Sequence, residues 1–195
     1  AQVSALCAAR GIAMQSACDA AGYLRVAAAI AAGADPRLAI THGLPGSGKS
    51  HASQRLLRDV GAIRVRSDVE RKRLFGLAPS QSSRDLVPER IYGPAATRQT
   101  YAHLREVAEI ALRAGWPTIV DAAFLRRDER TAFAALATQL GAPFAIVDCR
   151  APLPLLRERV LAREERADDP SEAGVAVLER LVAAAQPLDA DEAAH

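Results

Sequence analysis

Lysine is almost missing from this 195-residue chain: of 25 basic residues only Lys49 and Lys72 are lysine, and the rest are arginine. With the heavy use of alanine, this points to a GC-rich genome before it points to a function. Aromatics make up only 4% of the residues, little material for a surface that stacks on successive bases. An excess of one charge is also missing, and a net charge of +2 does not by itself imply nucleic-acid binding. Long hydrophobic runs are missing too. The longest, Val26 to Ala32, is far short of the ~20 residues of a membrane span, and it has neither a charged leader nor a cleavage context. The cysteines Cys7, Cys18 and Cys149 are odd in number and form no C-x-x-C pair. They read as buried thiols in a reducing compartment, with no metal site and no disulfide framework. The cytoplasm is the expected location.

What is present is a chain of one-domain length with 50% hydrophobic residues, enough for a sizeable core. Residues 1–33 are rich in alanine and free of proline. Leu6, Met14, Cys18, Leu24, Ala27 and Ile30 recur near helical spacing, so one or two amphipathic helices are expected there. The Gly33-Ala34-Asp35-Pro36 stretch closes the segment. Residues 1–36 are therefore read as a helical extension or linker, and 37–195 as the main domain. A start at Ala1 in place of Met fits a processed or excised piece.

From Leu38 onward short strands alternate with helices. Strands are expected at Leu38–Thr41, Ala62–Arg66, Thr118–Asp121 and Phe144–Cys149. Helices are expected at Lys49–Val60, from Ser67, and at Ala95–Ala114, Asp128–Leu140, Leu153–Arg166 and Ala173–Ala185. Residues 78–88 read as a mobile loop. Such alternation predicts an α/β fold with a short central parallel sheet in three layers.

Gly43-Leu44-Pro45-Gly46-Ser47-Gly48-Lys49-Ser50 satisfies G-x-x-x-x-G-K-[ST] between an apolar strand and a helix start. With this composition the pattern arises by chance in roughly 6 of ten thousand such chains. Backbone N–H groups of such a loop point inward at phosphate oxygens, helped by the dipole of the helix that follows. Lys49 is expected to reach the β- and γ-phosphates of ATP and the Ser50 hydroxyl to bind Mg²⁺. Gly43, Pro45, Gly46, Ser47, Gly48 and His51 complete the nucleotide-binding set.

A second site decides what the nucleotide is for. Asp68 follows the second strand and opens a helix. It either caps that helix or accepts the proton of a hydroxyl attacking the γ-phosphate. Arg71, one turn later, shares its face and either fixes that carboxylate or neutralises substrate charge. Asp121 ends the Thr118–Asp121 strand, either as a plain strand terminus or as a group near Mg²⁺. Arg126 and Arg127 are either solvated or within reach of substrate. Arg159, Arg163 and Arg166 line one helical stripe among interleaved glutamates: either a solvated charged face, or a lid closing arginines over the transferring phosphate with a hinge at the Asp168–Ser171 break.

Taken together, GLPGSGKS, SDVER, IVDAAFLRRDER and CRAPLPLLRERVLAR resemble P-loop kinases related to polynucleotide kinase and zeta toxin. They are most similar to bacterial kinases fused behind an aminoglycoside-phosphotransferase-like domain. The resemblance spans about residues 38–187 and implies the nucleoside-monophosphate-kinase-like P-loop fold with an arginine-bearing helical lid. It also implies Asp68 as general base and Arg71, Lys49 and Arg163 as catalytic cations. Arg159 becomes a nucleotide contact, Ser50 a metal ligand, and 1–36 the helical tail joining two domains; Asp121 is the second candidate metal ligand from its place at the strand end. His51 departs from the pattern, standing where relatives commonly carry threonine.

The leading expectation is a kinase moving the γ-phosphate of Mg-ATP to a hydroxyl, with a small-molecule acceptor entering between the Asp68 helix and the long helix. Arg84, Arg90, Tyr92, Arg98 and Gln99 are its candidate lining. A 5′-hydroxyl polynucleotide kinase is the alternative, using Arg64, Arg66, Arg71, Lys72 and Arg73 with Phe75, Tyr92 and Tyr101. A nucleotide-binding regulatory module is the third reading. No N-K-x-D segment supports a GTPase, and the length is short for an ABC or AAA-type motor.

Overall fold

The computed structural model describes residues 35–78, 81, 91–166 and 174–192, without the side chains of 165 and 166. The expected N-terminal helices, most of the 78–88 loop, Arg84, Arg90, the 168–171 break and the Arg166 side chain lie outside the described residues.

Ten elements follow in order: β1 (Leu38–His42), α1 (Lys49–Val60), β2 (Ile63–Arg66), α2 (Ser67–Leu74), α3 (Pro94–Arg113), β3 (Thr118–Asp121), α4 (Arg127–Gln139), β4 (Phe144–Asp148), α5 (Leu153–Arg166) and α6 (Val175–Ala184). The sheet has four strands in the order β2-β3-β1-β4, every pairing parallel. The α/β P-loop fold expected from the sequence is therefore what the chain adopts. Boundaries move by one or two residues. α3 starts at Pro94, not 95, because proline without an N–H costs nothing in a first helical turn. β4 ends at Asp148, although the Cys149 N–H still donates to the His42 carbonyl at 2.8 Å.

Strand faces follow from alternation. Leu38, Ile40, Val65 and Val120 join Leu104 and Leu112 of α3 and Phe133 and Leu136 of α4 in the main core. Arg64 and Asp121, next in sequence to Val65 and Val120, point the other way and bond residues of α1: Arg64 reaches Gln54 and the Ser50 carbonyl, and Asp121 accepts from Ser53. Helices thus cover both faces, as expected of a parallel sheet. The few aromatics are concentrated, with Tyr101 and Phe133 each edge-on to Phe124, at centroid distances of 5.2 and 4.9 Å.

A second, smaller core joins α5 and α6. Leu156, Val160 and Leu178 are buried there, with Leu44 of the glycine loop packed against them. Register places the strand ends together: Leu38 faces Thr118 and Phe144, and Ile63 faces Thr118. The carboxyl ends thus set His42 beside Asp148 and Arg66 beside Asp121. The sheet has a switch point there, because the chain leaves β1 for β2 and returns to fill the gap with β3; ligands of open α/β sheets bind at such crevices.

Candidate active site

One cleft of about 1110 Å³ lies over those strand ends. Its floor is the loop between β1 and α1, where Pro45, Gly46, Ser47, Gly48, Lys49 and Ser50 all line the space, with His51 beside them. Two glycines there have no substitute. A Cβ on Gly43 (φ 142°) would lie 2.3 Å from the Cys149 carbonyl oxygen, and one on Gly46 (φ 81°) would lie 3.0 Å from that of Leu156. The sequence reading gave these glycines to the phosphate; the second also makes room for α5, whose Arg159 guanidinium donates to the Gly46 carbonyl at 3.0 Å. The Ser47 hydroxyl is buried in the loop with no hydrogen-bond partner among the described residues.

Lys49 donates to the Leu44 carbonyl at 2.8 Å. Burial pushes its ammonium below the ordinary lysine pKa, while the charges of Asp121 and Asp68 pull it back up and Arg163 opposes them. Those influences place the four groups in one electrostatic neighbourhood. Asp68 sits in the first turn of α2 and faces the cleft. The residue at the N-cap of α2 is Arg66, whose side chain makes no cap hydrogen bond.

Asp121 is buried (5% exposed) and accepts from Ser53 at 3.0 Å. Arg64 pairs with the same oxygen, and Arg66 lies 3.9 Å from it. With Ser50 in the same cleft, one carboxylate and one hydroxyl suit Mg²⁺, which keeps several waters and takes its remaining ligands from phosphates. Among the described residues no three His, Cys, Asp or Glu gather into a metal cluster of their own.

The lid side brings Arg159 and Arg163 of α5 into the cleft, together with Arg180 of α6. Arg157, from the same sequence cluster, lies off that stripe and pairs with Glu179 at 3.2 Å. Arg180 was missed. Its signal was the Val177, Arg180, Leu181, Ala184 spacing, a helical face that here lines the cleft.

The opposite wall is built from α2, Tyr92, α3 and residues 121–129. Arg71 is buried, donates to the Ile91 carbonyl at 2.7 Å and lies 5.4 Å over the Tyr92 ring. On α3 the cleft residues are Thr97 and Tyr101, four apart on one face. Arg98 and Gln99, the sequence choices, are exposed and turned away by the helical phase. Arg126 lines the cleft but is engaged twice by Asp128, at 3.0 and 2.7 Å, while Arg127 pairs with Asp189.

Glu129 also lines this wall, and the sequence reading had passed it over. Burial pushes its pKa up to about 7, with the Arg126 main chain and the Tyr101 hydroxyl near enough to pull it partly back. Phe124 holds this loop in a left-handed turn (φ 46°), its N–H donating to the Tyr101 oxygen at 3.1 Å and its carbonyl accepting from Arg130 at 3.1 Å.

Residues 38–188 match the family described as an AAA domain. The chain belongs to the AAA domain family. No curated protein matches it. Among solved structures, a protein of Chloroflexus aurantiacus provisionally named a kinase is 27% identical with a TM-score of 0.58, covering 80% of this chain and 84% of its own. A sugar kinase of Janibacter is 18% identical with a TM-score of 0.57, covering 80% and 82%. The APS kinase of Mycobacterium tuberculosis, solved with AMPPNP and APS, is 24% identical with a TM-score of 0.52, covering 69% and 75%. The family description carries the AAA name, and these folds are those of P-loop kinases. This AAA domain is accordingly a P-loop kinase fold, and among its described residues no helix is long and apolar enough to cross a membrane.

Proposed function

We propose that this AAA-domain protein is a kinase that transfers the γ-phosphate of Mg-ATP to a hydroxyl of a small molecule. One observation carries the reading: a single cleft holds the glycine loop with Lys49 and Ser50, the carboxylates Asp68 and Asp121, and the lid arginines Arg159 and Arg163. That set provides what phosphoryl transfer needs, namely phosphate positioning, a base and cationic charge around the transferring group.

The loop N–H groups and Lys49 grip the phosphates of ATP. The apolar stretch of Ala151, Pro152, Leu155, Val177, Leu181 and Ala184 suits the flat base. Ser50 and Asp121 are the residues that would hold Mg²⁺, which when bound supplies charge neutralisation on the β- and γ-phosphates. Asp68 accepts the acceptor's proton as its oxygen bonds to the γ-phosphorus, and the bond to the β–γ bridging oxygen breaks to release ADP. Arg163, whose charge reaches Lys49, stabilises the equatorial oxygens. Arg71 orients the acceptor side.

A small acceptor is favoured over a nucleic-acid end by the state of the basic cluster. Lys72 is buried, Arg64 is tied to Asp121 and Gln54, and Arg73 pairs with Glu70. Cations spent inside the fold cannot track a phosphate backbone. In this reading residues 37–195 form the kinase domain in the cytoplasm, as the composition and cysteine usage suggest, and 1–36 are the tail to an upstream phosphotransferase-like domain that the sequence resemblance implies.

The test is acceptor-dependent conversion of ATP to ADP, with labelled phosphate followed into sugars, polyols, nucleosides, aminoglycosides and a 5′-hydroxyl oligonucleotide. Transfer into a small molecule is the expected outcome. Transfer into the oligonucleotide alone would favour the polynucleotide reading, and slow turnover that no acceptor stimulates would favour a regulatory module.

A further inference from the structure

Glu129 is an acid in the cleft that the chemistry above does not use. It sits in the first turn of α4, on the wall that carries Tyr92, Thr97 and Tyr101 and away from the glycine loop. The Tyr101 hydroxyl of α3, itself held by the Phe124 N–H, and the Arg126 main chain are near enough to act on its charge. A carboxylate has about four lone-pair sites, and on this wall they have room to accept from a ligand in the cleft.

Resting on the kinase reading above, we infer that Glu129 is the specificity residue of the acceptor subsite, taking a hydrogen bond from a second hydroxyl of a neutral polyol. The chemistry of the wall selects that class. A carboxylate only accepts, so the ligand group must carry an O–H or N–H. An anionic acceptor would bring its charge against Glu129 and Asp68 together. An ammonium would meet Arg126 from the same turn and Arg71 from α2, whose charge reaches Tyr101. A neutral hydroxyl meets neither penalty. The charged and titratable groups facing Glu129 are Arg126 and Asp128 from its own segment and Tyr101 from α3.

Ionisation gives the subsite a signature. Burial raises the carboxyl to about 7, so the accepting form is the minority at pH 6 and the majority at pH 8. Acceptor KM should fall across that interval while the KM for ATP stays level. The same raised pKa predicts stability that declines as pH rises from about 5 to 7, because the folded state then holds a proton that the unfolded chain has already lost.

The experiment compares the wild-type chain with E129Q, a change that keeps the side chain's size and an accepting oxygen but removes its ionisation. Acceptors are ribitol and glucose (neutral), gluconate (anionic), glucosamine (cationic) and a 5′-hydroxyl oligonucleotide, each at pH 6 and 8, with melting curves from pH 5 to 8. The inference expects the best kcat/KM on a neutral polyol. It also expects about a tenfold rise in that acceptor's KM in E129Q, the loss typical of a hydrogen bond to a charged group. The KM for ATP should hold within about twofold, and the pH dependence of acceptor KM and of melting should flatten in the variant. Removing hydroxyls one at a time from the best acceptor should reveal one whose loss matters in the wild type and not in E129Q. Preference for a charged acceptor or the oligonucleotide, or an unchanged acceptor KM in E129Q, overturns the inference and leaves the kinase reading standing. Transfer to nothing in the panel overturns both. Identical melting profiles overturn the assigned ionisation of Glu129, and the inference with it.

Discussion

The two walls of the cleft are built by opposite means. The nucleotide floor is nine consecutive residues, Gly43 to His51, working mainly through main-chain groups and one lysine. The wall proposed for the acceptor gathers Asp68 and Arg71 from α2, Tyr92, Thr97 and Tyr101 around α3, and Glu129 from α4, all of them side chains from separate segments. A contiguous loop recognises what all nucleoside triphosphates share, whereas a wall drawn from separate helices can change residue by residue without disturbing the loop. Substitutions on the two sides should therefore fail in different ways.

The largest effect belongs to the floor. In the proposed reaction the Lys49 ammonium follows the moving phosphoryl group, so Lys49→Ala should lower both ATP affinity and turnover, the latter by roughly 10³-fold or more. Asp68→Asn should cost kcat about 10²–10⁴-fold while ATP affinity, read by calorimetry, stays within about twofold. Should Asp68→Asn weaken ATP binding as much as Lys49→Ala does, the two walls are not separable and Asp68 acts on phosphate in place of the acceptor.

The same contrast explains what could be read from the sequence. The strands, most helix limits and the glycine loop are local: their signals are a run of apolar residues, a proline at a helix start, or a motif of eight consecutive positions. Asp68 and Asp121 were legible because each stands at or just past a strand's end, which in a parallel sheet faces the crevice. Thr97 was missed in favour of Arg98 and Gln99 because residue type pointed to the polar long side chains, while helical phase turns them to solvent. Glu129 was hidden by its neighbours, one acid in the run RRDER; only the fold brings Tyr101, 28 positions earlier in the numbering, against it. The supply of arginine likewise suggested a basic surface. The Arg73–Glu70 pair, three apart on α2, follows helical spacing, but the pairing of Arg64 with Asp121 and of Arg71 with the Ile91 carbonyl joins segments that no spacing rule connects.

An intermediate effect separates two arginines of α5. Arg163 acts electrostatically on Lys49, so Arg163→Ala should lower kcat about 10–100-fold with little change in the KM for ATP. Arg159 holds the Gly46 carbonyl, so Arg159→Ala should chiefly raise the KM for ATP. Steady-state kinetics with the acceptor saturating distinguishes them, and a reversed pattern would exchange the two roles.

The smallest effect on catalysis should come from the residue that ties the walls together. Arg130, 1% exposed, donates to the carbonyls of Phe124, Gln186 and Pro187 and pairs with Glu192 at 2.7 Å. It thereby fastens the loop below the acceptor wall to the segment that follows α6, the helix lining the nucleotide side. The guanidinium holds the Glu192 carboxyl below its ordinary pKa, so the pair contributes stability that is present above the unfolded value near 4.5 and is lost as pH falls through the depressed one. Glu192→Gln should leave both KM values within about twofold, because the three carbonyl contacts of Arg130 persist. At pH 7 its melting temperature should lie below that of the wild type, and the two curves should converge as the pH is lowered from 5 toward 3. A gap that stays constant with pH would assign the loss to packing in place of charge, and a rise in both KM values would mean that the alignment of the two walls depends on Glu192 itself.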